Sequence, residues 1–358
     1  MNKCYSVISV IIISFFFPVV ALAQGPNGSG TYYQKAHGKK GAELKTALCG
    51  IIYNRKERGG VDAAYKQLWT DFRTTDVRPD GSVWDMYSGT SKFEFGTNQD
   101  KGSGGKIEGQ FYNREHSFPN SWFGGKIMPM YADLHHMYPT DKLVNNKRSN
   151  YPFGETNGES YKSENGFSKL GRCTYDGYTG TVFEPNDEYK GDFARTYFYM
   201  ITCYEEKLPD WYEKYSDSQP TLDGSIYPGF TEWQLKMLLK WAKNDPVSKK
   251  EINRNNAVYA LQENRNPFID YPGLEDYIWG DKQDIAFDYE NSGQQTNPYG
   301  DANDDGEVTV ADIIAMVEYM RGATPDGFNF NAGDMNGDHV IDIADILQIL
   351  TILLSTTR

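Results

Sequence analysis

The sequence predicts an α+β domain followed by a small all-α module. In the first 285 residues, apolar residues at helical spacing alternate with short, scattered strand signals and glycine-rich loops such as GTNQDKGSGG. Two twelve-residue segments, 301–312 and 334–345, then match position by position, 33 residues apart, and each leads into an apolar helical run. The repeat indicates a separate module built from two copies of one motif.

The N-terminal segment has the features of a secretory signal peptide. It carries Lys3, the apolar run VISVIIISFFFPVV and the small residues ALA at its end, a pattern that predicts cleavage after Ala23. The apolar stretch is short for a membrane span, and no later segment reaches spanning length. We expect residues 1–23 to be removed and the protein to be secreted, to the periplasm, the cell surface or the medium, without a membrane span.

The net charge of −13 is divided unevenly along the chain. Residues 299–358 contain eleven acidic and two basic residues, a net of −9, so the rest of the chain carries only −4. A nearly neutral main domain can hold a local basic groove, so the composition does not exclude a polyanionic substrate. Without the signal peptide, Cys49, Cys173 and Cys203 remain, which allows at most one disulfide and leaves a Cys173–Cys203 pairing open.

Helices are predicted at several places in the main domain. Apolar residues fall at helical spacing over Leu44 to Ile52 and over Val61 to Phe72. The segments TEWQ (231–234) and SKKE (248–251) are capping-box signatures, and each predicts the start of a further helix.

Three boundaries follow from the composition along the chain. The main domain is predicted to span residues 24–285. Residues 286–299, AFDYENSGQQTNPY, hold little to bury and are predicted to form a linker. The repeated module then occupies residues 300–358.

The repeated segments place oxygen ligands at the spacing of an EF-hand calcium loop. That loop uses positions 1, 3, 5, 9 and 12, the backbone carbonyl of position 7, and a turn glycine at position 6. The first segment fills positions 1, 3, 5, 7, 9 and 12 with Asp301, Asn303, Asp305, Glu307, Thr309 and Asp312. The second fills them with Asp334, Asn336, Asp338, Val340, Asp342 and Asp345, with His339 at the turn position. Two such loops in register predict two Ca²⁺ sites.

A histidine follows a glutamate directly in YNREHSFPNSWFGG, residues 112–125. Further along, DLHHMYP predicts a short strand, and Thr140 is placed to cap a helix through DKLVNNKRS. That helix carries Asn145, 29 residues after His116. The sequence therefore predicts Glu115 and His116 at one strand end, with an asparagine on the following helix.

These residue types suit hydrolysis of a phosphodiester. Mg²⁺ prefers hard oxygen ligands, and protein usually supplies one or two of them while water and substrate phosphate supply the rest. The carboxylate of Glu115 and the amide oxygen of Asn145 fit that arrangement. A neutral histidine, with an ordinary pKa of about 6.5, can take a proton from water at neutral pH, while a metal offsets the charge that develops on the phosphate.

These motifs resemble the bacterial endonuclease I family of His-Me finger (ββα-metal) nucleases. NREHSFPNSW and DLHHMYPTDKLVNNKRSNYPFGE carry the resemblance, which continues through KGDFARTYFYM, DPVSKKEINRNNAVYALQENRNPFID and YIWG. It covers nearly all of residues 28–282. The resemblance implies a His-Me finger domain that cleaves DNA, and often RNA, with little sequence preference and leaves 5′-phosphate ends.

The resemblance also implies roles for single residues. His116 is the general base, and Glu115 and Asn145 bind Mg²⁺ or Mn²⁺, with the adjacent Asn146 as the alternative ligand. His135 and His136 are tempting as metal ligands too, but on the predicted strand one side chain would point inward and one outward, and we favour a structural or substrate-positioning role.

Arginines complete the predicted site. The resemblance implies a transition-state arginine, for which Arg148, Arg114 and Arg265 are candidates, and we favour Arg148. Contacts to the nucleic-acid backbone are predicted for Arg114, Lys147, Arg254 and Arg265.

The repeat itself resembles the type I dockerin module, which implies folding on Ca²⁺ and docking to a cohesin-like protein. Because dockerins often accompany glycoside hydrolases, a carbohydrase is one alternative function, although no region singles out the two facing carboxylates that it needs. A catalytically inactive nucleic-acid-binding scaffold is the other alternative. We expect DNA, and RNA as a second substrate, as partners of a monomeric catalytic domain.

Overall fold

The structure is a computed structural model that describes residues 25–292, 300–303, 308–323, 325, 327–336, 338 and 340–356. The predicted signal peptide and positions 293–299 of the predicted linker lie outside the described residues, as do Asp305, Glu307 and His339 of the calcium loops. None of the helices in the described part of the chain combines the length and apolar character that crossing a bilayer requires.

Helices and two small antiparallel sheets build the main domain, which confirms the α+β prediction. The helices are α1 Gly41–Ile52, α2 Val61–Thr75, α3 Lys142–Arg148, α4 Lys190–Cys203, α5 Leu208–Lys214, α6 Glu232–Asn244, α7 Lys249–Gln262, α8 Pro267–Asp270 and α9 Leu274–Ile278. The strands are β1 Tyr112–His116 and β2 Met137–Asp141, which pair with each other, and β3 Tyr161–Lys162, β4 Lys169–Arg172 and β5 Thr181–Glu184, in the order β3-β4-β5. The short 3-10 helices are Pro26–Gly28, Gln34–Ala36, Asn120–Phe123, Met130–Ala132, Glu164–Gly166, Asp187–Tyr189, Glu205–Lys207 and Ser216–Ser218.

Helix α4 is the centre of the core. Every residue from Gly191 to Cys203 is buried, and the helix packs against α1 and α6. Phe193, Tyr197 and Phe198 are completely buried on it, and burial of each such side chain stabilises the fold by about 1.5–3 kcal/mol. The amphipathic helices α1 and α2, predicted from apolar spacing, lie where that spacing places them.

One of the two predicted capping boxes forms. The Ser248 hydroxyl accepts the N–H of Glu251 at 3.3 Å, and the Glu251 carboxylate accepts the N–H of Ser248 at 2.9 Å. At the start of α6, by contrast, the Thr231 hydroxyl donates to the carbonyl of Pro220 at 2.9 Å, and Gln234 accepts a hydrogen bond from a neighbouring threonine at 3.0 Å. The first capping box was a wrong prediction, because tertiary partners take both side chains.

Packing of the main domain continues past its predicted end. Gly38 donates its N–H to the carbonyl of Phe287 at 2.7 Å, and Phe287 donates to the carbonyl of Lys39 at 2.8 Å. Phe287 and Tyr289 are buried, and the Tyr271 hydroxyl donates to the carbonyl of Tyr289 at 2.7 Å. Phe287 and Tyr289, which lie in the predicted linker, therefore pack on the main domain.

The cysteines of the main domain are free thiols. Cys203 is buried, and Cys49 and Cys173 are half-buried. The Cys173–Cys203 disulfide that the sequence left open is not formed.

The C-terminal module contains α10 Val310–Met320, α11 Phe330–Gly333 and α12 Ile343–Thr356. Met316, Ile341 and Ile349 belong to its small apolar core. In the first turn of α10 and of α12, the last residue of the twelve-residue segment accepts hydrogen bonds from the loop that precedes the helix. Asp312 accepts the N–H groups of positions 3 and 9 at 3.1 and 2.6 Å, and Asp345 accepts those of the same two positions at 3.1 and 2.9 Å.

Candidate active site

Strands β1 and β2 and helix α3 form one strand–strand–helix unit. In the hairpin, Glu115 lies opposite Tyr138 and His116 opposite Met137. The strand predicted from DLHHMYP begins later than expected, at Met137, and it includes Thr140. The predicted Thr140 cap was wrong by one residue, because Oδ1 of Asp141 accepts the N–H groups of Leu143 and Val144, in the first turn of α3, at 2.8 and 3.0 Å.

Glu115 is a buried carboxylate held by two donors. The Tyr87 hydroxyl and Nη1 of Arg148 donate to its Oε1 at 2.9 and 2.8 Å, so Oε2 accepts neither of these bonds. Burial raises the pKa of Glu115, while Arg148, Tyr87, a backbone N–H and the Asn145 amide act in the lowering direction. The carboxylate is therefore fixed in place, and Asn145 lies beside it.

Asn145 presents its amide in a defined orientation. Its Nδ2 donates to Oδ1 of Asn113 at 2.8 Å, and Asn113 is on the same face of β1 as Glu115 because side chains alternate along a strand. With the nitrogen engaged in this way, the amide oxygen of Asn145 is the atom left for a ligand. Asn145 is half-buried beside Glu115 and Asn146 is exposed, so the geometry favours Asn145 over Asn146 as the partner of Glu115.

Arg148 is enclosed by the site rather than open to a substrate. Its side chain is 1% exposed. Besides Glu115, the guanidinium donates to the carbonyls of His116 and Ser117 at 3.0 and 2.6 Å and to the Tyr197 hydroxyl at 3.4 Å. We interpret Arg148 as a positioning residue for the end of β1, not as the catalytic arginine that the sequence suggested.

His116 is held in one tautomer. Its Nε2 lies 3.0 Å from the carbonyl oxygen of Tyr131, and because a carbonyl only accepts, Nε2 carries the proton and Nδ1 the lone pair. The ring stacks on Tyr131 and Tyr65, with centroids 5.0 and 5.8 Å away. Burial lowers the pKa of His116 well below its ordinary value, and the neighbouring His136 lowers it further. The imidazole is therefore neutral at pH 7.

Arg114 lies on the same face of β1 as His116, two residues earlier. Its guanidinium carbon is 3.6 Å from the centre of the Tyr65 ring and 4.3 Å from that of Trp69. Nη1 donates to the backbone carbonyl of Tyr65 at 2.7 Å. The side chain is half-buried, so it combines a fixed position with access to solvent.

Comparison with known families identifies both regions of the chain. The family model for endonuclease I matches residues 40–273, more than half of the chain, and that range contains Glu115, His116 and Asn145. The chain belongs to the endonuclease I family. The family model for the type I dockerin domain matches residues 299–354. The protein is thus a nuclease with a dockerin domain, and the glycoside hydrolase considered from the sequence is set aside.

Relatives of this endonuclease I family member are themselves nucleases by name. An extracellular ribonuclease of Bacillus amyloliquefaciens is 38% identical over 255 residues, 70% of this chain and 78% of that protein. An extracellular ribonuclease of Bacillus subtilis (strain 168) is 34% identical over 280 residues, 72% of this chain and 87% of that protein. An extracellular deoxyribonuclease of Aeromonas hydrophila is 28% identical over 143 residues, 39% of this chain and 50% of that protein.

The endonuclease I domain places its other predicted substrate contacts in two different environments. Lys147, on α3, is exposed, with its ammonium 5.4 Å from the centre of a tyrosine ring. Arg254 and Arg265 are buried and pair with Asp76 and Asp270 at 2.8 and 2.6 Å. Because those carboxylates occupy both guanidinium groups, we interpret Arg254 and Arg265 as structural ion pairs.

The two consecutive histidines of the endonuclease I domain are also structural. His135 and His136 are 2% and 0% exposed, and their Nε2 atoms lie 3.2 Å from the carbonyl of Asn264 and 2.6 Å from that of Met130. Both precede β2, so strand alternation does not apply and the prediction of one inward and one outward side chain was wrong. Burial lowers the pKa of both, that of His135 to about 3.

Several residues that hold Glu115 and His116 in place were not predicted from the sequence. Tyr87 and Tyr131 contact Glu115 and His116 from positions 28 and 15 residues away, and no local spacing marks either tyrosine. Asn113 could have been found, because strand alternation puts it beside Glu115.

Proposed function

We propose that this protein is a secreted, metal-dependent nuclease that hydrolyses RNA and DNA without reading the base sequence. The observation that carries the proposal is that the buried carboxylate of Glu115 lies beside the half-buried amide of Asn145, while the next residue of β1, His116, holds a neutral imidazole in a fixed tautomer. We take the strand–strand–helix unit to be a His-Me finger. The extracellular relatives and the signal-peptide pattern of residues 1–23 support secretion.

The donor atoms fit a hard divalent cation. In the described residues, no three His, Cys, Asp or Glu side chains converge closely enough to hold a metal, so the site is not a protein cage of the kind that zinc prefers. One carboxylate and one amide oxygen instead suit Mg²⁺ or Mn²⁺, which keep water and phosphate as further ligands. Glu115 and Asn145 would hold the ion, which when bound stabilises negative charge on the phosphate.

His116 acts as the general base in this proposal. The bond from Nε2 to the carbonyl of Tyr131 leaves the Nδ1 lone pair to accept a proton from water. The water oxygen bonds to phosphorus as the bond from phosphorus to the 3′ oxygen breaks. The leaving 3′ oxygen takes a proton from solvent water, which gives a 5′-phosphate and a 3′-hydroxyl. Burial keeps the imidazole unprotonated before each cycle, and Arg148 holds the strand end on which His116 and Glu115 lie.

Substrate recognition is proposed to be through phosphate, which RNA and DNA share. Arg114 and Lys147 are the predicted contacts that remain half-exposed or exposed, and we assign the backbone contacts to these two. The names of the relatives include both ribonucleases and a deoxyribonuclease. We therefore expect activity on both polymers from a monomeric catalytic domain.

The dockerin domain is proposed to bind two Ca²⁺ ions and to dock to a cohesin-like protein. The proposed ligands of the first ion are Asp301, Asn303, Asp305, Glu307, Thr309 and Asp312. Those of the second are Asp334, Asn336, Asp338, Val340, Asp342 and Asp345. Asp312 and Asp345 fasten equivalent positions of the two loops, which supports two similar sites.

The test is cleavage of supercoiled plasmid and of single-stranded RNA by residues 24–358. Each substrate is incubated with Mg²⁺, with chelator, and with chelator followed by excess Mg²⁺. His116→Ala should lower the rate about 100- to 10,000-fold, with the exposed Arg172→Ala as a matched control for loss of a polar side chain. Equal cutting by wild type and His116→Ala would exclude the proposed base, and binding without any cutting would establish the inactive scaffold instead.

A further inference from the structure

Arg114 differs from the other arginines around the site, and an inference that rests on the proposed nuclease function follows from the difference. Six arginines of the main domain have a carboxylate within 4 Å: Arg55, Arg58, Arg148, Arg195, Arg254 and Arg265. Among residues 25–292, Arg73, Arg78, Arg114 and Arg172 have none, and of these four only Arg114 lies on β1, the strand that carries Glu115 and His116. The nearby Asp100 is instead bonded to Lys142 at 2.7 Å. Arg114 thus keeps its positive charge available to a ligand.

Aromatic rings hold Arg114 without neutralising it. The guanidinium lies over both Tyr65 and Trp69, at 3.6 and 4.3 Å from the ring centres. The Trp69 ring is itself wedged edge-on against Tyr112 and Phe72, with centroids 5.6 and 6.4 Å away. Cation–π contacts and one hydrogen bond to the carbonyl of Tyr65 therefore fix the group, which reduces the ordering needed when an anion binds.

The fixed guanidinium lies beside the proposed base. Strand alternation puts Arg114 and His116 on one face of β1, and the ring of Tyr65 contacts both side chains. The guanidinium and the imidazole thus share one face of the strand and one aromatic neighbour. Arg148 is excluded from that role by its enclosure behind Glu115.

We propose that Arg114 is a catalytic residue that bonds the non-bridging oxygens of the scissile phosphate in the transition state, and that Trp69 and Tyr65 are its positioning residues. This is a stronger statement than contact with the flanking backbone. A flanking contact binds substrate and transition state equally and changes KM, whereas a contact to the scissile phosphate strengthens as charge develops and changes kcat.

The experiment measures kcat and KM on a fluorescent single-stranded oligonucleotide in saturating Mg²⁺. The variants are Arg114→Ala, Arg114→Lys and, as a matched control on an exposed strand end, Arg172→Ala. Lys147→Ala serves as the comparison for a backbone contact. Far-UV circular dichroism and thermal unfolding check that each variant is folded.

We expect Arg114→Ala to lower kcat about 100- to 1,000-fold with a much smaller change in KM. Guanidinium chloride at low millimolar concentration should restore part of that kcat, but none of the kcat lost in His116→Ala. Arg114→Lys should remain impaired, because an ammonium cannot reproduce the planar, bidentate contact. Lys147→Ala should instead raise KM.

An unchanged kcat in either folded Arg114 variant, with only KM raised, would overturn the proposal and leave a flanking contact. If Arg114→Ala does not fold, Arg114→Lys decides by the same criterion. Absence of cleavage by the wild-type protein itself would contradict the nuclease function rather than the role of Arg114, so the two failures are distinguishable.

Trp69 provides the test of positioning, because Tyr65 also contacts His116. Trp69→Leu removes the ring beneath the guanidinium and should lower kcat, while Trp69→Phe keeps a ring and should retain most of it. Equal loss of kcat in both variants would assign Trp69 a packing role only.

Discussion

The candidate active site and the proposed calcium loops are held in opposite ways. Glu115 takes its hydrogen bonds from Tyr87 and Arg148, 28 and 33 residues away in the chain. In the dockerin domain, Asp312 and Asp345 bind N–H groups of their own segments, no more than 10 residues away. Each proposed calcium loop is thus held by hydrogen bonds within its own segment, whereas the proposed catalytic residues depend on tertiary contacts.

This contrast predicts how far the effect of a substitution extends through the structure. Loss of a distant support in the catalytic domain should weaken the whole domain and its chemistry together. Loss of a local support in a calcium loop or at a helix start should stay confined to that element.

Arg148→Met should be the most damaging change. It leaves the buried carboxylate of Glu115 without its cation, and removal of one partner of a buried pair costs about 3–5 kcal/mol in the free energy of unfolding. Urea-induced unfolding measures the loss, with Arg172→Met as the control, and cleavage should fall in parallel because His116 loses a carbonyl contact. A loss below about 1 kcal/mol would contradict the tertiary support that we describe.

Asp133→Asn should act on the segment that orients His116. Asp133 accepts hydrogen bonds from Arg55, Tyr199 and Tyr204, two residues after the carbonyl that holds the imidazole. Burial raises the pKa of Asp133, but Arg55, the two neighbouring histidines and the Tyr204 hydroxyl together lower it more, so the pKa lies well below its ordinary value. The charged pair stabilises the fold above the unfolded-state pKa of about 3.9, and this stability is lost as the pH falls towards the folded-state pKa.

Asp133→Asn should therefore lower the free energy of unfolding by about 3 kcal/mol near pH 7. The difference in this free energy between wild type and variant should become smaller below about pH 4. Urea titrations of wild type and variant at both pH values provide the measurement. A difference that widens on acidification would show that the carboxylate is not the stabilising form.

Asp345→Ala should affect only the dockerin domain. The change leaves the N–H groups of Met335, Asn336 and Asp342 without their acceptor. An unsatisfied buried donor lowers the free energy of unfolding by about 1–3 kcal/mol. Differential scanning calorimetry with Ca²⁺ should show a lower transition for the module and weaker dependence on Ca²⁺. A change in the transition temperature of the main domain would contradict the expectation that the two regions unfold independently.

Ser248→Ala should have the smallest and most local effect. Removal of an N-cap hydroxyl that accepts an N–H lowers the free energy of unfolding by about 1 kcal/mol. Hydrogen exchange should therefore become faster in the first turn of α7. Thr231→Ala is the matched variant, because the Thr231 hydroxyl bonds to Pro220 instead of capping its helix. Faster exchange in the first turn of α6 after Thr231→Ala would show that Thr231 is a cap after all.

The sequence predicted best where neighbours in the chain are also neighbours in space. Helices α1 and α2, the Ser248–Glu251 capping box and the calcium-loop repeat depend on periodicities of a few residues. The grouping of Glu115, His116 and Asn145 came from a family motif, and the structure brings these three residues together.

The predictions failed where a distant partner decided the outcome. Thr231 and Gln234 have the right spacing for a capping box, but tertiary acceptors and donors take their side chains. Arg148 matched a catalytic role by residue type, yet only the fold could show its enclosure. Charge and spacing do not report burial, so they could not separate Arg148 from Arg114.

The packing of Phe287 and Tyr289 onto the main domain has a consequence for an anchored enzyme. Between the two described regions, only eight Cα–Cα spacings separate Ser292 from Gly300. A fully extended chain of that length spans roughly 28 Å at most. A dockerin held by its partner would therefore keep the nuclease within a small search volume. Polymers that pass through that volume meet the active site at high effective concentration, and those beyond it are out of range.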